Sequence, residues 1–77
     1  MIPLTLSESW WKIALKSFQD GIRVLNIADT DPEHARLAVV FLCATLEWAT
    51  PDTWPRLYIE TQLALKEARD IYMSFFT

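Results

Sequence analysis

Residues 37–46, LAVVFLCATL, place ten residues in a row without a charge. Just upstream, Asp31 and Pro32 form the pairing of an N-cap with a first-turn proline, and Glu33 sits where the positive helix end favours a carboxylate. A helix therefore starts at about residue 32, and its pattern runs to about Trp48. Within it only Arg36, Thr45 and Glu47 interrupt Leu37, Ala38, Val39, Val40, Phe41, Leu42, Cys43, Ala44 and Leu46. A helix with so little polar face is normally surrounded. Two flanking helices cover two of its sides. A third side, which Val40 marks, is left as a candidate interface.

The chain has 77 residues, which allows one domain with a marginal core. Four Trp, four Phe and two Tyr partly offset that, because each aromatic buries a large area. Hydrophobic residues make up 52% of the chain, with a single Gly. That balance excludes a disordered tail and disfavours an all-β sandwich, which needs frequent turn residues.

Two further helices flank the apolar one. The first is expected over about residues 7–28, with Ser7 as N-cap, Glu8 near the positive end and Trp10 at the third helical position. Trp11, Leu15, Phe18, Ile22 and Leu25 follow at alternating spacings of four and three, which puts them on one face. Lys12, Lys16, Gln19, Arg23 and Asn26 cover the other side. Gly21 interrupts this helix at a cost of about 1 kcal/mol relative to Ala, which points to close approach of a neighbouring helix.

The last helix is expected over about residues 52–75. Thr50 before Pro51 repeats the cap-and-proline pattern, but Pro55 disfavours helical backbone at Trp54. Either residues 51–54 form a short turn and the main helix starts at Pro55, or Pro55 falls in the first turn of one helix, where amides lack partners anyway. Leu57, Tyr58, Thr61, Ala64, Leu65, Ala68, Ile71, Tyr72 and Phe75 make a broad apolar stripe. Short connectors favour antiparallel neighbours. The expected fold is all-α: a three-helix antiparallel bundle of helical hairpins.

Chemistry-bearing constellations are sparse. One His, His34, and one Cys, Cys43, cannot make a His/Cys zinc set. Asp29, Asp31 and Glu33 cluster where a helix N-terminus favours negative charge. No EF-hand spacing, Gly-rich phosphate loop or nucleophile signature surrounds Ser7, Ser9, Ser17 or Ser74. No catalytic, cofactor-binding or metal residue is therefore expected, and an independent enzyme is disfavoured. Cys43 lies in the apolar run and is expected to be a small buried hydrophobe without a disulfide partner. The N-terminal MIPLTLSES lacks the basic start and sustained apolar core of a signal peptide, and no apolar segment approaches the roughly 20 residues of a membrane span. These features favour a cytoplasmic protein.

Net charge is −3 with no basic stripe. That disfavours nucleic acid and makes a basic protein surface the more natural partner. The aromatic excess supplies candidate contacts. Trp10 and Trp11 point about 100° apart on a helix. With Trp11 in the core stripe, Trp10 either covers the bundle edge or stands as an exposed anchor. Trp48 and Trp54 bracket the second connector and are expected to close that end of the bundle together. Phe75 and Phe76 pack on the domain or on a partner. The candidate partner-binding residues are thus Trp10, Val40, Trp48, Trp54, Phe75 and Phe76.

Tyr58, Thr61, Gln62, Leu65 and Ala68, in YIETQLALKEA, resemble the first helix of a degenerate tetratricopeptide repeat. Lys66 departs from the small residue expected after that Leu. Ala14, Phe18 and Gly21 are similar to the small–aromatic–small spacing of a repeat's second helix, and Leu37, Ala38 and Phe41 to the large–small–aromatic trio of a first. The registers do not join into one 34-residue period. The resemblance implies helical hairpins that bind a protein or peptide in a groove without catalysis, and it carries over no binding residue.

Three functions follow from these features. The leading one is a small non-catalytic interaction module, an adaptor or accessory subunit, docking on another protein or on itself. A compact acidic inhibitor or immunity-type protein, blocking a basic surface on an enzyme, is the alternative. An enzyme subunit or small-ligand carrier with a pocket between helices ranks third.

Overall fold

The computed structural model describes the backbone from Ile2 to Thr77 and the side chains from Trp10 onward. Three helices, α1 (Ile2–Leu25), α2 (Pro32–Leu46) and α3 (Pro55–Ser74), form an antiparallel bundle, with a 3-10 turn at Ala28–Thr30 between the first two. The architecture is the expected all-α, three-helix bundle. α2 lies between the other two and packs along both, whereas α1 and α3 touch each other much less. The molecule measures 50 × 20 × 15 Å.

The helix boundaries follow local chemistry. Asp31 caps α2: its carboxylate accepts from the Glu33 amide at 2.7 Å, and Pro32 fills the first position. Arg36 then pairs with Glu33 one turn on and holds that carboxyl below its ordinary range, chiefly through their hydrogen bond. α2 stops at Leu46 rather than Trp48, as the Trp48 and Ala49 amides turn back onto the Thr45 carbonyl. Of the two starts open for the last helix, the turn is the one found. Thr50 and Thr53 cap each other, the Thr50 amide donating to Thr53 Oγ1 at 2.9 Å and the Thr53 amide to Thr50 Oγ1 at 3.1 Å. Trp54 keeps the non-helical backbone that Pro55 imposes, and α3 begins at Pro55.

α1 departs from expectation at both ends. It begins at Ile2, so Ser7 lies within the helix and is not its N-cap. Pro3 falls in the first turn, where proline is tolerated, and nothing between it and Ser7 breaks a helix. At the other end the helix stops at Leu25 and passes into the 3-10 turn, where Thr30 Oγ1 donates to the Ile27 carbonyl at 2.6 Å.

The core is a seam of small residues. Ala14, Gly21 and Ala28 from the first helical segment are buried, as are Ala35, Ala38, Leu42, Thr45 and Ala49 from the second and Leu57, Thr61, Ala64, Leu65 and Ala68 from the third. One cluster joins Ala38 and Leu42 to Ala64, Leu65 and Ala68, and a second joins Ala14, Ala49 and Leu57 at the opposite end. None of the four Trp, four Phe and two Tyr is buried. The expected core face of α1 holds in part: Phe18, Ile22 and Leu25 pack, half-buried, against the first cluster, and the correction falls on Trp11. Trp11 is exposed and Trp10 packs on the second cluster, because the buried face is the one carrying Ala14 and Gly21, roughly one residue of rotation away from the bulky stripe. The same geometry corrects Cys43. It is exposed, since Leu42 takes the inward position and its chain neighbour turns about 100° away.

Gly21 marks a close approach of α1 to α2. A Cβ there would lie 2.8 Å from both Cγ and Cδ2 of Leu42, which is itself fully buried. Gly21→Ala should therefore lower stability by about 1–2 kcal/mol in urea unfolding, because overpacking outweighs the gain in helix propensity of about 1 kcal/mol. In a Leu42→Ala background the same substitution should become stabilising. The two buried threonines make a second pair of opposites. Thr45 Oγ1 donates to the Phe41 carbonyl at 3.0 Å, whereas Thr61 Oγ1 is buried with no partner. Thr61→Val should raise the unfolding midpoint, by about 1 kcal/mol in free energy, and Thr45→Val should not.

Candidate docking cleft

Aromatic side chains excluded from so tight a core collect at its edges, most densely where the start of α3 meets α1. Trp54 ends the Thr50–Thr53 turn and is fixed by Pro55 behind it, with its amide bonded to the Thr50 carbonyl at 3.0 Å. Its ring meets Trp11 edge-on, with centroids 6.5 Å apart and planes at 71°. Such an edge-to-face pair contributes about 0.5–1.5 kcal/mol beyond area burial. Trp10, on the adjacent face of α1, packs with Trp54 on Ala14, Ala49 and Leu57. Trp10, Trp11, Leu15, Thr53 and Trp54 together line an open cleft of about 410 Å³. Leu15 and Trp54 also border a second hollow of about 220 Å³, which continues between α1 and α3 past Phe18 and Leu57 to Arg56 and Glu60. The sparse contact between α1 and α3 leaves this furrow open.

The walls are apolar and the ends are polar. Arg56 and Glu60 pair one turn apart at 3.7 Å, and Thr53 Oγ1 donates to the Trp48 carbonyl at 3.2 Å. This arrangement suits a bulky apolar group held between indole surfaces. Among the described residues no group of three or more His, Cys, Asp or Glu is placed to hold a metal ion.

The sequence-based candidates separate in space. Trp10 and Trp54 come together in the cleft. Trp48 does not close the bundle end with Trp54. It is exposed beyond the last turn of α2, because the turn directs Trp54 to α1 and Trp11 takes the place beside it. Val40 is exposed on the outer side of α2 beside the exposed Cys43. Phe75 and Phe76 are exposed at the C-terminal end of α3, where Phe76 packs edge-on against Tyr72 with centroids 5.0 Å apart. Trp11, Leu15 and Thr53 are cleft residues that the candidate set omitted. The adjacent tryptophans were the available signal, and a core face centred on Ala14 would have turned Trp11 outward.

A smaller cleft of about 240 Å³ lies between α2 and α3 at the other end, lined by Val39, Tyr72 and Met73 with Arg36 and Arg69. No helix among the described residues is long and apolar enough to cross a membrane. Comparison with protein-family models, curated proteins and solved structures finds no match.

The two adjacent tryptophans of α1 should respond unequally to truncation. Trp10→Ala removes a ring that supports a core cluster and should cost about 2–3 kcal/mol in urea unfolding. Trp11→Ala removes an exposed ring and should cost about 1 kcal/mol, chiefly its edge contact with Trp54.

Proposed function

We propose that this chain is a small non-catalytic helical interaction module, an adaptor or accessory subunit, that docks a protein partner in the tryptophan-lined cleft between α1 and α3. The observation that carries this reading is the convergence of Trp10, Trp11 and Trp54 around an open hollow. Trp is the residue type most enriched at binding hot spots, where a rigid amphipathic ring gains contact area at little entropic cost. The furrow runs on between two helices, the shape that receives an amphipathic helix through anchors one turn apart. The likeness to tetratricopeptide hairpins, which bind peptides in helical grooves, supports the same class of partner. A single thiol with no intrachain disulfide partner fits a reducing compartment, and we assign the module to the cytoplasm.

The partner's anchor is a bulky apolar side chain on a helix. Trp11→Ala, which leaves the core intact, should weaken capture of the native partner by at least about tenfold while the far-UV spectrum stays unchanged. Capture should persist at 1 M salt, since apolar docking is little screened. Binding that ignores the tryptophan change and disappears with salt would instead support the compact acidic inhibitor, acting through surface carboxylates.

A further inference from the structure

The hollow between α2 and α3 lies at the end of the bundle away from the tryptophan cleft, and docking in that cleft does not use it. Two facing turns build it. Arg36 and Val39 stand three residues apart on α2, and Arg69, Tyr72 and Met73 share one face of α3 at spacings of three and four. Its lining is almost wholly apolar, and the two charges that border it are both positive.

The two arginines differ in what they already hold. Arg36 grips Glu33, its Nε donating to Oε1 at 3.3 Å and its Nη2 to Oε2. That grip fixes the guanidinium plane and leaves Nη1 without an acceptor among the described residues. Arg69 forms no ion pair among the described residues. Its neighbours three and four away on α3 are Leu65, Lys66, Tyr72 and Met73. Arg23, Arg36 and Arg56, by contrast, each have a carboxylate at that spacing and pair with it. Glu33 balances Arg36, so Arg69 leaves one positive charge uncompensated beside the hollow.

Volume and charge together define what fits. A cavity of about 150 Å³ takes a benzene ring, so this one, at about 240 Å³, takes a body of about ten heavy atoms. One carboxylate neutralises the uncompensated charge, whereas a phosphate monoester, at about −2, overshoots it. A peptide chain suits the hollow less, because its amides need acceptors once they leave water and only the Tyr72 hydroxyl among the lining side chains is a strong one. We propose that this hollow binds a free amphiphilic carboxylate of about ten heavy atoms, a medium-chain fatty acid or an aryl alkanoic acid. Its carboxylate lies between Arg36 and Arg69, whose planar forks match that group, and its body lies along Val39, Tyr72 and Met73. The site stands independently of docking in the cleft.

Titration of the isotope-labelled chain with octanoate, followed by NMR, tests it. The methyl signals of Val39 and Met73 should shift and saturate with a dissociation constant of about 0.1–1 mM, the range for so small a ligand. Octan-1-ol and octylammonium keep the body and lose or reverse the charge, and acetate keeps the charge and loses the body. Each should bind at least about tenfold more weakly. Arg69→Gln and Met73→Glu should each weaken octanoate at least about tenfold. Lys16→Gln, which removes the same charge from α1, should leave it within about twofold. Circular dichroism should show all variants folded, because every altered side chain is exposed. A spectrum unmoved up to about 5 mM octanoate overturns the proposal. So does an alcohol that binds as well as the acid, a Lys16→Gln loss equal to that of Arg69→Gln, or shifts centred on the tryptophan indoles. A short peptide ending in a free leucine carboxylate that binds more tightly than octanoate overturns it as well.

Discussion

Leu42 fills the space that the missing side chain of Gly21 leaves open, and the geometry of the molecule depends on that approach. Ala14, Gly21 and Ala28 recur every seven residues, as do Ala35, Leu42 and Ala49, and all six are buried. A seven-residue recurrence keeps one line of residues facing a neighbouring helix, as in a coiled coil. With small side chains on that line the two backbones close up, and rings have no room between them. The aromatic residues that promise a large core in the sequence therefore serve as its rim. The small seam and the tryptophan cleft are two results of one packing choice.

The sequence carried the elements well and their faces poorly. Asp31–Pro32, Thr50 and Pro55 are local signals, and a cap or a proline restriction acts whatever the tertiary context. They located the two turns and with them the hairpin order. Which side of α1 faces inward is not local. Reading it from bulk favoured the whole stripe from Trp11 to Leu25, because burying large side chains gains most from water; Phe18, Ile22 and Leu25 do pack on the core, and Trp11 does not. What decided it was how near α2 could come, and that favours Ala14 and Gly21. Gly21 did announce the close approach, but its consequence for Trp11, ten residues earlier, needed the whole helix to be rotated with it. Cys43 failed for a related reason: an apolar run has no polar side to show which of its residues lies outward.

The candidate site was half legible for the same reason. Trp10 and Trp54 were recognisable as aromatic residues near helix ends. Their meeting depends on the Thr50–Thr53 turn and on α1 extending past the end of α2. Trp48 shows the converse. Closeness in sequence to Trp54 suggested a shared role, yet the turn between them directs the two rings apart.

The central position of α2 also bears on how the chain acquires its structure. α1 and α3 rely on α2 far more than on each other, so the molecule is two hairpins that share a strut. Each hairpin joins neighbours in sequence, and local contacts of that kind form quickly. Whichever hairpin closes first has already ordered the helix that the other one requires. The second closure then needs only one new helix to be fixed. A folding nucleus that leaves out α2 has almost nothing to hold it together, and one that includes it can be completed from either end of the chain.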